Sequence, residues 1–233
     1  MSSYSLATAA AAAAGTLTVA AHQVLVGVMT VAQFCPEPLS SCAQSNLASV
    51  ATKHAKGIAH PHESIHARRT ARLLLSCGAV LGVALAFMCG CILRFTPHLF
   101  SSDPAVILAV SAMAPLLSVS ICIYTVVCVM DGLIFASGRM LFAAGTQIVN
   151  LPAVAAAIMF ASRSGFGLAG IWGSLLLLFS VRLLENGCIM WRDFGPSCDG
   201  SRASRERAVP GTPTQGLGGM QPSGLIGPHA KAT

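Results

Sequence analysis

Long apolar runs separated by short polar turns fill the chain from about residue 4 to residue 192. A helix needs about 20 predominantly apolar residues to cross the hydrocarbon core of a bilayer. By this measure the pattern predicts an all-α membrane protein, a bundle of six transmembrane helices of which the first is barely long enough to span. The predicted helices are Tyr4–Ala20, His22–Val50, Ala71–Phe95, Ala105–Ala136, Leu141–Ser162 and Leu168–Trp191.

The segments between the apolar runs carry the turn residues and most of the polar character. "CPEPLSSCAQ" interrupts the second predicted helix, and a polar loop with "HPHESIH" at its centre follows that helix as far as Arg69. Residues 193–233 are rich in Gly, Pro, Ser and Arg, a composition that cannot bury a core. We therefore expect a membrane domain over residues 1–192 and a disordered tail over residues 193–233.

Composition and charge support a membrane protein and give its orientation. The chain is 54% hydrophobic and only 9% charged, with a mean hydropathy of +0.70, which is too apolar for a soluble domain of this length. Its net charge of +6 is concentrated in Lys53–Arg72 and in the segment from Arg182 to Arg207. This is the positive bias of cytoplasmic or stromal loops rather than a nucleic-acid-binding face. We expect a multi-pass protein in a lipid bilayer, with no nucleic-acid partner.

A zinc-protease motif stands in the basic loop. His62, Glu63 and His66 have the His-Glu-x-x-His spacing, in which two imidazoles bind zinc and the glutamate activates a water. Intramembrane metalloproteases place this motif in an apolar helix, whereas here basic residues flank it. We expect a solvated loop without a metal, and keep the metalloprotease as an alternative.

Two acidic residues within the apolar segments are candidates for ion coupling. Glu37 lies between Pro36 and Pro38 near the middle of the second predicted helix. A carboxylate at that depth costs about 2.5–3.5 kcal/mol on insertion scales and usually marks an ion or proton pathway. The prolines free backbone carbonyls, as at the broken helices of membrane transporters. The alternative is that "CPEP" is an interfacial loop between two short helices.

Asp131 is the second acidic candidate, near the end of the fourth predicted helix. It is interpreted either as a second proton site or as an interfacial acid that pairs with Arg139 or caps the helix. On the sixth predicted helix, Arg182 and Glu185 are three residues apart and are expected to pair with each other.

Polar residues on the predicted helices outline a substrate cavity. Gln33, Glu37, Ser40 or Ser41, and Gln44 recur at helical spacing, so one face of the second helix is predicted to line a cavity. Tyr124 and Asn150 are weaker candidates for the same interior.

Five segments, in order and spacing, resemble a known transporter family. They are "TVAAHQVLVGV", "EPLSSCAQS", "FSSDPAVI", "MDGLIFASGRMLF" and "GFGLAGIWGSLLLLFSVRLL". Over residues 4–192 they are similar to the C-terminal lobe of multidrug and toxin extrusion (MATE) transporters. The DinF-type branch, with its plant and algal plastid members, is the most similar.

The resemblance implies one six-helix lobe of a twelve-helix fold. Such proteins export small organic or xenobiotic compounds in exchange for protons or sodium, by alternating access and without enzymatic activity or a cofactor beyond the coupling ion. By the same resemblance Glu37 matches the acid of a Glu-Pro motif, Asp131 an Asp-Gly at a helix end, and His22 with Gln23 a helix start that places Gln23 in the cavity. It further implies the plastid envelope, with the plasma or vacuolar membrane as alternatives.

The chain also departs from the family pattern. An acid found early in the first helix of this lobe in some branches is missing here, and Tyr124 stands near the place of a coupling aspartate found in others. These departures leave a second hypothesis, a non-transporting half-lobe that needs a missing N-terminal lobe or a second copy as its partner.

Overall fold

The computed structural model describes residues 2–55 and 61–194, and these two ranges contain α-helices and one short 3-10 turn but no β-strand. The 3-10 turn is Pro97–Leu99. The helices are α1 Ser2–Ala13, α2 Thr16–Phe34, α3 Glu37–Ala55, α4 Pro61–Phe95, α5 Pro104–Ala136, α6 Met140–Arg163 and α7 Gly167–Phe194.

The prediction of an all-α, multi-pass membrane protein is confirmed. Among the described residues, five segments are long and apolar enough to cross a bilayer. The predicted first helix ends earlier than expected, at Ala13, because Gly15 has a φ of 119° that is incompatible with a continuing helix. The five segments are Thr16–Val50, Ile65–Phe95, Pro104–Ala136, Met140–Arg163 and Gly167–Arg192.

The predicted second helix is two helices, α2 and α3, which meet at Cys35 and Pro36. Neither Pro36 nor Pro38 has an N–H to continue the helical hydrogen bonds. Cys35 still has helical dihedral angles, and the Ser40 N–H donates to the Pro36 carbonyl at 3.1 Å. The interruption is therefore a short break within one membrane segment, not an extended loop.

The prediction that "HPHESIH" lies in a loop is wrong for the residues of this stretch that the structure describes. α4 begins at Pro61, ten residues before the predicted start, and contains Glu63 and His66. Proline in the first helical position and a glutamate in the first turn both favour a helix start. Lys53 of α3 pairs with Glu63 at 2.5 Å, which brings the end of α3 to the start of α4. His60 and residues 195–233 lie outside the described ranges, so the tail stays a prediction.

α5 is the centre of the bundle and packs against α2, α3, α4 and α7, most extensively against α4. Glycines on α4 allow the close approach of these two helices. A Cβ atom on Gly82 would lie 3.0 Å from the Cys122 carbonyl oxygen, and one on Gly78 would lie 2.9 Å from a Val129 methyl carbon. Small residues four apart are typical of membrane-helix interfaces, so this repeat of glycines explains the tight α4–α5 pair.

Two hydrophobic clusters hold the lobe together, and they lie toward opposite ends of α5. The larger cluster joins α1, α2, the second half of α4, the first half of α5, α6 and the start of α7, with Trp172 fully buried in it. The smaller cluster joins α3, the start of α4, the end of α5 and Met190 of α7. On α7, the stretch between Phe179 of the larger cluster and Met190 of the smaller one contains the polar residues described next.

Candidate functional site

A polar network centred on Asp131 joins α5 to α7. The Arg182 guanidinium donates to one Asp131 carboxylate oxygen at 2.6 Å, and the Asn186 amide donates to the other at 2.8 Å. The side chains of Asp131 and Arg182 are only 17% and 18% exposed. A charge in such surroundings is tolerated when it is paired and hydrogen-bonded, and Asp131 is both.

α6 joins the same network through Gln147, and Asn150 makes a separate polar contact between α6 and α7. With its amide oxygen turned toward the guanidinium, Gln147 accepts hydrogen bonds from Arg182 at 2.9 and 3.0 Å. Asn150, which is buried, donates to the Glu185 carboxylate at 2.9 Å. The network therefore links three helices through charged and amide groups.

These contacts correct two expectations from the sequence. Arg182 pairs with Asp131 rather than with Glu185, and Asp131 pairs with Arg182 rather than with Arg139. The signal was present in the sequence: a charge inside a membrane helix needs a partner, and the partner is usually on another helix. Spacing along one helix could not reveal it.

Gly132, next to Asp131, holds α3 close to this network. A Cβ atom at position 132 would lie 2.6 Å from both the carbonyl and the hydroxyl oxygen of Ser40, and 2.9 Å from its Cα. Because two of these are backbone atoms of α3, no side-chain rotation relieves the contact. The Asp-Gly pair thus combines an ion pair to α7 with a close approach to α3.

Glu37 is in a different environment. It lies in the first turn of α3 and is exposed on the surface of the lobe. None of the described residues forms a hydrogen bond or an ion pair with its side chain. The start of a helix favours a negative charge there, but no cationic side chain among the described residues pairs with it.

Glu37 belongs to a row of exposed residues that continues from α2 into α3, which we call the polar stripe. Successive members are three or four residues apart, so they share one face of the two helices. The polar members are Gln23, Thr30, Glu37, Ser41 and Gln44, and Gly27 and Phe34 complete the row.

This arrangement corrects part of the prediction about which residues line a cavity face. Glu37, Ser41 and Gln44 do share a face, but Ser40 is buried against Gly132 and belongs to the packed side of α3. Gln33 is half-buried and donates to the Tyr4 hydroxyl at 2.6 Å, which ties α1 to α2. The polar stripe is an open surface of the lobe rather than an enclosed cavity.

Tyr124 and Asn150 face the interior of the lobe, but not the polar stripe. Tyr124 is half-buried and packs edge-on against Phe179, with ring centroids 5.5 Å apart. Asn150 is buried and donates to Glu185 of α7, as described above. Of the five predicted cavity residues, only Gln23 and Gln44 lie on the polar stripe.

A buried polar cluster joins α1, α2 and α7 inside the larger hydrophobic cluster. His22 is fully buried, its Nε2 lies 3.2 Å from the Thr8 hydroxyl, and its ring lies 5.8 Å from that of Trp172. The Thr8 hydroxyl donates its proton to the Tyr4 carbonyl, so it accepts from His22 Nε2–H. His22 Nδ1 and Trp172 Nε1 have no hydrogen-bond partner among the described residues.

Two residues of the zinc motif, Glu63 and His66, have described side chains. Among the side chains that the structure describes, no group of three His, Cys, Asp or Glu residues could hold a metal ion. Glu63 is engaged by Lys53, while the side chain of His62 lies outside the description.

Comparisons with known proteins agree with this architecture. The chain is 28% identical to protein DETOXIFICATION 45, chloroplastic, of Arabidopsis thaliana over 188 residues, which is 80% of this chain and 32% of that protein. It is 27% identical to protein DETOXIFICATION 44, chloroplastic, of the same plant, over 83% of this chain and 35% of that protein. The chain thus spans about a third of the length of these relatives. No protein-family model matches it.

A solved structure shows the same fold. The crystal structure of the eukaryotic MATE transporter AtDTX14 superposes with a TM-score of 0.64 at 22% identity, over 82% of this chain and 41% of that one. The all-helical fold and the length of the chain relative to these proteins both correspond to one lobe. The chain is a relative of the plant DETOXIFICATION (MATE) proteins and has the fold of one lobe of a MATE transporter.

Proposed function

We propose that the chain forms the C-terminal lobe of a MATE-type efflux transporter, which exports small organic compounds in exchange for protons or sodium by alternating access. The observation that carries the proposal is Glu37, an exposed carboxylate on a proline-broken membrane segment. The name of the similar plant proteins, DETOXIFICATION, and the MATE transporter fold also support an efflux function for this chain.

The polar stripe supports a proposal for the surface of the lobe that faces the transport pathway. Glu37, Ser41 and Gln44 are exposed within a segment long enough to span the bilayer. A carboxylate or amide facing lipid tails is costly, so this face requires water or protein against it. We infer that it faces a water-filled cleft whose other wall is a second lobe, either an N-terminal lobe or a second copy of this chain.

Glu37 and Asp131 then have unequal roles in ion coupling. Asp131 already has a cation, Arg182, and a second donor, Asn186, so an incoming ion would have to displace one of them. No described residue supplies such a cation to Glu37, and its neighbour Pro38 leaves the Phe34 carbonyl without its usual helical donor. We propose Glu37 as the principal site for the coupling proton or sodium, and Asp131 as a second site that acts only if Arg182 moves.

Binding of the ion at Glu37 would alter the affinity of the cleft for substrate. A neutral Glu37 and a negative Glu37 interact differently with an organic cation in the cleft, and such a difference is what couples two binding events. Gln23 and Gln44, on the same stripe, are proposed to contact the substrate. The chloroplastic relatives favour the plastid envelope as the site of action.

The experiment is efflux of ethidium, a fluorescent organic cation, driven by a proton or a sodium gradient. Two forms are compared in vesicles: the 233-residue chain alone, and the reading frame extended upstream of Met1 wherever the transcript continues. Glu37→Gln is expected to abolish gradient-driven efflux. Asp103→Asn, which changes a helix-capping acid away from the stripe, is the matched control and is expected to retain it.

The outcomes separate the proposal from its main alternative. Efflux by the extended form but not by the 233-residue chain would identify the chain as a half-lobe that needs its partner. Gradient-driven efflux that is unchanged by Glu37→Gln would show that the assignment of Glu37 is wrong. Absence of efflux in both forms, with both proteins inserted in the vesicles, would count against the transporter itself.

A further inference from the structure

A groove runs along the α4–α5 pair, and none of its lining residues belongs to the polar stripe. It has a volume of about 640 Å³ and is predominantly apolar, with Val83, Phe87 and Arg94 of α4 and Ser118 and Val119 of α5 among the residues that line it. Its walls are large apolar side chains that project outward, since Phe87 is 74% exposed and Val83 is 62% exposed. Its floor is narrow, because a Cβ atom on Gly90 would lie 2.5 Å from the Ser118 hydroxyl.

The groove has the length of one lipid leaflet. From Val83 to Arg94 it extends eleven helical positions, about 17 Å at 1.5 Å per residue. One leaflet is half of a hydrocarbon core of about 30 Å. Arg94 is the penultimate residue of α4, where the chain leaves the membrane segment. The apolar part of the groove therefore lies at the depth of acyl chains, and its charged end lies at the depth of the head groups.

Arg94 is fixed at this end of the groove by a contact with the neighbouring helix. Its guanidinium donates to the Ser111 hydroxyl of α5 at 3.0 Å. One of its five N–H groups is used there, and the side chain is exposed, so other donors face outward. Guanidinium groups bind phosphate oxygens through paired hydrogen bonds, and cationic pockets between membrane helices bind anionic head groups.

We propose that this groove binds an anionic phospholipid, with an acyl chain between α4 and α5 and the head-group phosphate on Arg94. The occupant follows from charge complementarity at one end and leaflet-length apolar surface along the rest. The site is separate from the polar stripe and does not depend on the transport activity proposed above.

The test is native mass spectrometry of the full 233-residue chain in detergent, titrated with phosphatidylglycerol and, separately, with phosphatidylcholine of the same acyl chains. Phosphatidylglycerol is expected to bind more tightly, and Arg94→Gln to reduce that preference about fivefold. Arg163→Gln is the matched control, because Arg163 is an exposed arginine at the end of α6 on the same side of the membrane. This control is expected to leave the preference unchanged.

A second pair of variants tests the apolar part of the groove. Ala86→Phe places a ring in the groove and is expected to weaken binding of both lipids, whereas Ala84→Phe, on an exposed position outside it, is not. Circular dichroism confirms that each variant is folded. Equal affinity for the two lipids, or binding insensitive to both Arg94→Gln and Ala86→Phe, would overturn the proposal. So would a dimer that Ala86→Phe dissociates without loss of lipid, because the groove would then bind a second copy.

Discussion

Asp131 and Glu37 are two acidic residues within the membrane segments of one lobe, and they differ in burial and in hydrogen bonding. Asp131 is largely buried and accepts hydrogen bonds from Arg182 and Asn186, so its charge is compensated within the lobe. Glu37 is exposed on the polar stripe, where no described side chain pairs with it. A carboxylate compensated by its own fold contributes to stability, whereas one left without a partner is available to something outside the fold.

The largest expected effect on stability comes from removing the ion pair between Asp131 and Arg182. Asp131→Asn and Arg182→Gln should each lower the free energy of unfolding by about 3 kcal/mol, since each leaves a partly buried charge without its partner. The double variant should lose clearly less than the sum of the two. Unfolding of the purified chain in mixed micelles, followed by circular dichroism, measures all three. Additive losses would show that the two charges do not depend on each other.

The next effect is steric and concerns the glycine beside Asp131. Gly132→Ala should lower the free energy of unfolding by about 1–3 kcal/mol, because the new methyl group meets the backbone of α3 at Ser40. Gly187→Ala on α7 is the control, since among the described residues a Cβ atom there would meet nothing within 4 Å beyond its chain neighbours and the adjacent backbone of its own helix. The same unfolding assay applies. An equal response of both variants would mean that α3 does not pack as closely on α5 as the structure shows.

A smaller effect is expected where α1 is tied to the helix that carries the stripe. Tyr4→Phe removes the hydroxyl that accepts from Gln33, and should lower the free energy of unfolding by about 1 kcal/mol. Tyr124→Phe keeps the edge-on contact with Phe179 and should be close to neutral. If Tyr124→Phe proved the more costly of the two, its hydroxyl would have a role that the contacts of the described residues do not reveal.

The smallest effect on stability is predicted for the acid of the stripe itself. Glu37→Gln should change the free energy of unfolding by no more than about 0.5 kcal/mol, as for other exposed positions without partners. A loss comparable to that of Asp131→Asn would show that Glu37 is compensated within the lobe after all, and would remove the contrast between the two acids.

The sequence predicted most of the membrane segments, but it did not predict which side chains contact each other. Apolar length predicted the membrane segments, because a bilayer requires it of every spanning helix. The prolines marked the break at Pro36, whereas the turn at Gly15 was missed because the apolar run continues on both sides of it. The start of α4 was missed because its first turns are polar, although Pro61 and Glu63 favour a helix start.

The pairing of charges was the part that local pattern could not predict. Asp131 and Arg182 are 51 residues apart, and only the packing of α5 against α7 brings them together. Similarly, the role of Gly132 depends on the position of Ser40 on another helix. The exposed or buried state of Ser40 and Ser41, adjacent in the sequence, was decided by which side of α3 faces α5. The predicted coupling roles remain predictions for both acids.

The most direct test of the account asks which acid binds the coupling ion. Infrared difference spectra of the reconstituted 233-residue chain, recorded as protons or sodium are added, report changes at individual carboxyl groups. We predict a carboxyl component that disappears in Glu37→Gln and persists in Asp131→Asn. A component that survives Glu37→Gln and disappears in Asp131→Asn would contradict it, because the ion would then bind at the acid that Arg182 already occupies.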